Sequence, residues 1–290
     1  MFYLDGYKNC IKTVFLLACS NQEQKINSLE ELKNQYICFL NQHFSETPIP
    51  TEANLDQFCF DIERIKKIAV KYQEDGILTD LKTKIDLNTP IASMEEALSY
   101  VKKGQILLNQ VNPSLGTIFD LVIHTLFYVR SPNAGGGSVS DAPGVIWCAI
   151  KRNWTDMDIA EFLVHELTHN LVFLDELCYQ HYTNMIQLSD KKHYAKSSIL
   201  NKQRPLDKAF HSLVVSHEVL HYRQEAGEPS TPLVHPPSEQ MLSASLATIN
   251  SIKAVIDNSN LVQPRFYEIL ANIEVSLRQL EKSLKTVVAV

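Results

Sequence analysis

The chain has 290 residues, with 27 Lys and Arg against 33 Asp and Glu and a formal net charge of −6. Hydrophobic residues make up 45% and charged residues 21%. This is an ordinary globular composition, long enough for a sizeable core, and it gives no electrostatic case for binding nucleic acid or an acidic membrane surface.

Apolar residues recur at helical spacing over residues 8–19, 27–44, 53–74 and 93–111, broken at Thr47 to Pro50 and at Asn88 to Pro90. Leu16 to Cys19 resembles a lipoprotein cleavage box. The apolar run before it is only about eight residues, and Asp5 precedes it where a secretory segment wants basic residues, so 8–19 reads as a core helix. No stretch approaches a membrane span. Six cysteines, Cys10, Cys19, Cys38, Cys59, Cys148 and Cys178, lack Cys-x-x-Cys spacing and read as reduced, mostly buried thiols of a cytoplasmic protein. Phe119 to Val129 reads as a helix that turns into a strand near Leu126. Ser131 to Ser138, with three consecutive glycines, is expected to be a mobile connector or lid.

Gly144 to Ile150 is an apolar, β-branched run bounded by Pro143 and by polar Lys151 to Asn153, the pattern of a strand. Pro143 to Ile146 is expected at a sheet edge, where it would align an extended peptide by backbone pairing. Thr155 with Asp158 three residues on marks a helix start, and Ile159, Phe162, Leu163, Leu167, Leu171 and Leu174 continue that helix. A second helix is expected from Pro205 and Asp207 to a stop at Gly227. After the Pro-rich break to Pro237, helices over 239–258 and 263–285 close the chain, packed on the rest of it or on a second copy as a homodimer. The expected fold is α+β, mainly helical, with a small sheet beside a metal-binding helix. Its regions are 1–112, 113–228 and 229–290, the middle one catalytic, within one compact unit.

The chemistry concentrates at His165-Glu166-Leu167-Thr168-His169. Two histidines four apart lie on one helical face, where both imidazoles can reach one divalent ion. Glu166 sits near that face, able to act as a base on a metal-bound water or to hold a ligand. A catalytic metal usually takes three protein ligands. The motif runs on into Asn170 to Phe173 without a third histidine, so the third ligand comes from elsewhere. His211, forty-two residues past His169, is the leading candidate, and Glu218 the alternative, because seven residues bring it back to the same face of the second helix. His217-Glu218-Val219-Leu220-His221 repeats the five-residue pattern and reads as a polar helix face rather than a second centre.

Asp141 to Trp147, Leu163 to His169, Arg204 to Asp207 and Phe210-His211 together resemble the HExxH-motif peptide-modification proteins. The resemblance covers residues 138 to 225. It implies an iron(II)- and 2-oxoglutarate-dependent hydroxylase acting on a side chain of a ribosomally made peptide. It also implies that His165, His169 and His211 are the iron ligands and that Arg204 pairs with a carboxylate of the cosubstrate. The chain departs from the family pattern in having His217, Glu218 and His221 where apolar residues are usual. Two other readings of the same residues stand beside this one. Three imidazoles also suit Zn(II), and Glu166 would then be the general base of a metallopeptidase. A helical scaffold with a structural metal site is the other.

Overall fold

The computed structural model describes residues 1–20, 25–47, 49, 57–73, 78, 82–257 and 259–288, and it is mainly helical with two small sheets. Helices α1 (Phe2–Asp5), α2 (Tyr7–Ala18) and α3 (Leu29–His43) open the chain, followed by α4 (Ile62–Lys71), α5 (Ile91–Val111) and α6 (Pro113–Val122). Strands β1 (Thr125–Tyr128), β2 (Gly136–Gly137) and β3 (Val145–Cys148) precede α7 (Asp156–Tyr179). Strands β4 (Tyr194–Lys196) and β5 (Gln203–Pro205) precede α8 (Leu206–Ala226), and α9 (Ser238–Ile256) and α10 (Pro264–Val288) come last.

Helix starts follow local capping. The Ser28 hydroxyl accepts from the Glu31 N–H, Asn112 from the Leu115 N–H ahead of Pro113, and Thr155 and Asp158 form a reciprocal capping box at α7. The helix expected over 53–74 begins only at Ile62; residues 53–56 and 74 of that span lie outside the described residues. Asp61 accounts for the late start. Its carboxylate accepts from the N–H groups of Glu63 and Arg64, while Phe58 is still extended against Leu126. The apolar stretch 119–129 divides as the sequence suggests, α6 ending at Val122 and β1 starting at Thr125.

The larger sheet has the order β1-β3-β2, with β1 parallel and β2 antiparallel to β3. Every residue of β3 is buried. This corrects two expectations. Val145 and Ile146 are interior rather than at an edge, because the run Val-Ile-Trp-Cys is apolar on both faces and needs cover on both. The glycine segment is the outer strand, in register Gly136↔Cys148 and Gly137↔Trp147, rather than a free connector or lid.

Helix α7 occupies the middle of the molecule, packed against α5, α8, α2 and α6. Gly104 of α5 lets that helix approach closely: a Cβ there would lie 2.5 Å from Ile159 Cγ2 and 3.0 Å from the Ala160 nitrogen. Asn170 ties the sheet to α7, its Oδ1 accepting from the Gly144 N–H at 2.6 Å and its Nδ2 donating to Ser138 Oγ and the Glu166 carbonyl. Gly144 turns at φ +79° immediately before β3, with His124 and the Val122 carbonyl where a Cβ would stand. The β4–β5 hairpin, which the sequence does not announce, delivers Arg204 two residues before the start of α8. Cys10, Cys59 and Cys148 are buried, Cys38 is exposed, and Cys19 and Cys178 lie between, so burial covers half of the thiols rather than most. Among the described residues no helix is long and apolar enough to cross a membrane.

Candidate metal centre

His165 and His169 lie one turn apart on α7, with Nε2 facing Nε2 at 3.0 Å. Two nitrogens bonded at about 2.1 Å to one ion and at right angles to each other stand about 3.0 Å apart, so this spacing suits a shared divalent metal. Both rings keep some solvent exposure, 19% of the side chain for His165, yet protein surrounds them on most sides. Burial pushes His165 well below the ordinary histidine range, aided by His235. It does the same to His169, aided by His165, His211, Lys208 and Arg204. Both are neutral at physiological pH, the form that ligates metals.

Helix α8 brings His211 to the same place. Its Nδ1 lies 3.0 Å from His169 Nδ1, and Phe173 flanks both rings at 6.2 Å from His169 and 5.2 Å from His211. Burial again holds His211 well below its ordinary value, and Lys208 and Arg204 add to the shift. The three imidazoles therefore meet, but in a row. His211 approaches the nitrogen of His169 opposite the one that faces His165. Among the described residues no three His, Cys, Asp or Glu side chains are arranged as a ready-made metal cage. His211 would have to reorient to enter one coordination sphere with the other two. His165 and His169 fit a divalent ion, two neutral nitrogens at ligand spacing, while His211, also neutral, lies against the far side of His169.

Glu166 is buried, with Oε1 3.9 Å from His165 Nε2 and Oε2 accepting from Ser138 Oγ at 2.8 Å. Burial raises its carboxyl to about 8, and the Ser138 hydrogen bond opposes that rise. Ser138 follows the outer strand directly, so the glycine segment delivers a hydroxyl to the motif's carboxylate. Arg204, in β5, pairs by register with Ala195 of β4, and its charge together with that of Lys208 reaches His169 and His211.

Glu218 sits elsewhere. Its carboxylate accepts from the N–H groups of Tyr3 at 2.8 Å and Leu4 at 3.1 Å, and Oε1 lies 3.2 Å from His217 Nδ1. Seven residues past His211 is about 10 Å along the helix, which suits Glu218 to anchoring α1. His217 Nε2 and His221 Nε2 both meet Ser276 Oγ of α10, at 2.9 and 2.7 Å. The sequence Ser276, His217, Glu218 has the hydrogen-bond order of a nucleophilic triad. Ser276 is mid-helix, however, where backbone N–H groups belong to the helical ladder and offer no oxyanion hole. The repeated motif is a packing node between α8 and α10.

Three residues at the site escape sequence reasoning. His235, in the Pro-rich segment after α8, places Nε2 2.7 Å from His165 Nδ1, and its Nδ1 2.6 Å from Glu161 Oε1. Arg223 grips Glu161 with Nε and Nη2 at 2.7 and 2.8 Å. The one available signal is the spacing of Glu161 four residues before His165, which puts it on the same face of α7. Nothing in the segment Gly227 to Pro237 announces that His235 folds back onto that face. Compared with models of protein families and with curated proteins, the chain matches none.

Proposed function

We propose that the chain is a cytoplasmic iron(II)- and 2-oxoglutarate-dependent hydroxylase that modifies a side chain of a ribosomally made peptide. The observation that carries this reading is the meeting of three neutral imidazoles, His165, His169 and His211, beside the charges of Arg204 and Lys208. His165, His169, Arg204 and His211 also carry the resemblance to the HExxH-motif peptide-modification proteins. His165, His169 and His211 would hold the metal, which with 2-oxoglutarate and oxygen supplies the oxidising power for hydroxylation.

The remaining work belongs to the chain's own groups. Arg204 presents a planar fork matched to a carboxylate, and Lys208 adds a second cation on the first turn of α8 for a cosubstrate with two carboxylates. Glu166, held by Ser138, keeps a carboxyl beside His165 without needing to act as a base. Burial of Phe162, Leu163 and Leu167 along α7 fixes the helix that carries the histidines. The thiols, half of them buried, suit a reducing cytoplasm.

One observation favours a second reading, a zinc peptidase. Glu166 Oε1, 3.9 Å from His165 Nε2, is close enough to share a water at the metal position and to deprotonate it. Anaerobic addition of iron(II) and then 2-oxoglutarate separates the two. The hydroxylase gives the visible charge-transfer absorption of a chelated cosubstrate, weakened in Arg204→Ala. A wild-type protein that gives no such band, and whose zinc form cleaves peptides, overturns the hydroxylase reading.

A further inference from the structure

Behind the metal-facing edge of α7 runs a chain of buried polar groups that the hydroxylase reading leaves unused. His165 Nδ1 contacts His235 Nε2 at 2.7 Å, with the rings inclined by only 21°. His235 Nδ1 contacts Glu161 Oε1 at 2.6 Å, and Arg223 closes the chain on both Glu161 oxygens. His235, Glu161 and Arg223 are 3%, 1% and 4% exposed, so water plays little part in their hydrogen bonding.

With His165 as a metal ligand through Nε2, the protons in this chain have one consistent arrangement. Burial raises the Glu161 carboxyl, but the hydrogen bonds from His235 and Arg223 outweigh it and hold the group below its ordinary value. Glu161 is therefore an ionised acceptor, and His235 must donate to it through Nδ1–H. With His165 ligating through Nε2, its Nδ1 carries the proton and donates to His235 Nε2. The lone pair of His165 is left on Nε2, the nitrogen that faces His169.

The segment carrying His235 is fastened at several points. Arg223 Nη1 donates to the Pro236 carbonyl at 2.8 Å and to Ser238 Oγ at 3.2 Å. Glu228 accepts from the Ser238 N–H, and Asp158 of the α7 capping box accepts from the Leu233 N–H. His235 is thus held against α7 from both sides of its own position in the chain. A salt bridge between Glu161 and Arg223 alone would need no histidine. Placing one between that pair and His165 gives His165 a defined tautomer.

We propose that His235 is a positioning residue for His165, fixing the imidazole in its Nδ1–H form and turning the Nε2 lone pair toward His169 for metal ligation. The inference rests on the reading of His165 as a metal ligand. Orienting partners of this kind typically change metal affinity 10- to 100-fold when removed.

Cobalt(II) titration of the full chain, followed by its visible absorption, gives the affinity of wild type, His165→Ala, His235→Ala and His235→Gln. Glutamine can accept from His165 with its carbonyl and donate to Glu161 with its amide, so it preserves the polarity of the chain. Nitrogen-15 NMR of the wild-type protein without metal gives the His165 tautomer directly, whether or not any variant folds. The expected results are an Nδ1–H tautomer for His165, binding weakened about 10- to 100-fold in His235→Ala, and binding within a few-fold of wild type in His235→Gln. An Nε2–H tautomer in the wild type overturns the proposal. So does a folded His235→Ala variant that binds cobalt as tightly as wild type while His165→Ala does not. If His165→Ala binds cobalt like the wild type, the metal reading itself fails and this inference falls with it.

Discussion

Ser138 Oγ donates to Glu166 Oε2 at 2.8 Å, joining the end of the glycine-rich outer strand to the middle residue of the metal motif. Asn170 braces the same contact, donating to Ser138 Oγ at 3.0 Å and to the Glu166 carbonyl at 2.8 Å. Because burial raises the Glu166 carboxyl to about 8 and Ser138 opposes it, Ser138→Ala is expected to raise it further. Infrared titration of the carboxyl band reads this directly. An unchanged midpoint means that Ser138 does not tune the group.

Glu166→Gln separates the two chemistries. A general base contributes about 10²- to 10⁴-fold, so a peptidase loses that much turnover. In the hydroxylase the same change is expected to lower oxidation of 2-oxoglutarate by less than about tenfold, since the glutamine amide still fills the space beside His165. Comparing kcat for cosubstrate turnover in the two proteins decides the matter.

Arg204 is expected to bind the cosubstrate as a fork rather than as a point charge. Charge-assisted hydrogen bonds are worth roughly 1.5–3 kcal/mol, so Arg204→Ala should weaken 2-oxoglutarate binding about 10- to 100-fold. Arg204→Lys should recover only part of that, because a lysine cannot form the bidentate pair. Equal affinity for wild type and Arg204→Lys in anaerobic titration would show that the fork is not used.

Much of this arrangement is legible in the sequence. The period of Ile159, Phe162, Leu163 and Leu167 and the Thr155–Asp158 box define α7, and Pro205 with Gly227 brackets α8, so the helices that carry His165, His169 and His211 follow from local signals. Other features depend on pairing across long stretches of chain. Val145 to Cys148 reads equally well as an edge or a central strand until β1 and β2 take the two sides. Glu218 shares a helical face with His211 in projection, yet its carboxylate is taken by Tyr3 and Leu4, more than 200 residues earlier. His235 sits in a segment with no periodicity, and only the buried Glu161–Arg223 pair gives it a reason to fold inward.

The repeated motif of α8 is expected to matter for stability and not for metal content. His217 and His221 meet at Ser276, so His221→Ala should leave cobalt or iron stoichiometry unchanged while lowering stability by about 1–2 kcal/mol. Metal analysis beside urea unfolding tests this. Loss of metal in His221→Ala with wild-type stability would assign the repeat a second site.

Acid sensitivity has an identifiable source in His124, half-buried between Thr125 Oγ1 at 3.0 Å and the Pro143 carbonyl at 3.1 Å. Burial lowers it to about 3; the Pro143 hydrogen bond opposes the shift, and the charges of Arg64 and Lys33 add to it. The unfolded chain takes up this proton near pH 6.5, while the folded protein resists it down to about pH 3. Across that window the unfolded state holds the extra proton, so acidification lowers stability by up to about 1.4 kcal/mol per pH unit from this group. His124→Gln should remove one proton's share of the slope in urea unfolding between about pH 4 and 6.5. Parallel slopes for the two proteins would exclude His124 as the source.

On the proposed function, His165, His169 and His211 serve an oxidation. Oxygen-dependent formation of succinate from 2-oxoglutarate by the iron(II) protein tests it most directly, with His169→Ala as the control and without any need to know the peptide. The expected result is succinate from the wild type, none above background from His169→Ala, and a sharp rise when the right peptide is supplied. Equal succinate from wild type and His169→Ala, or none from a wild type that binds iron at His165 and His169, would contradict it.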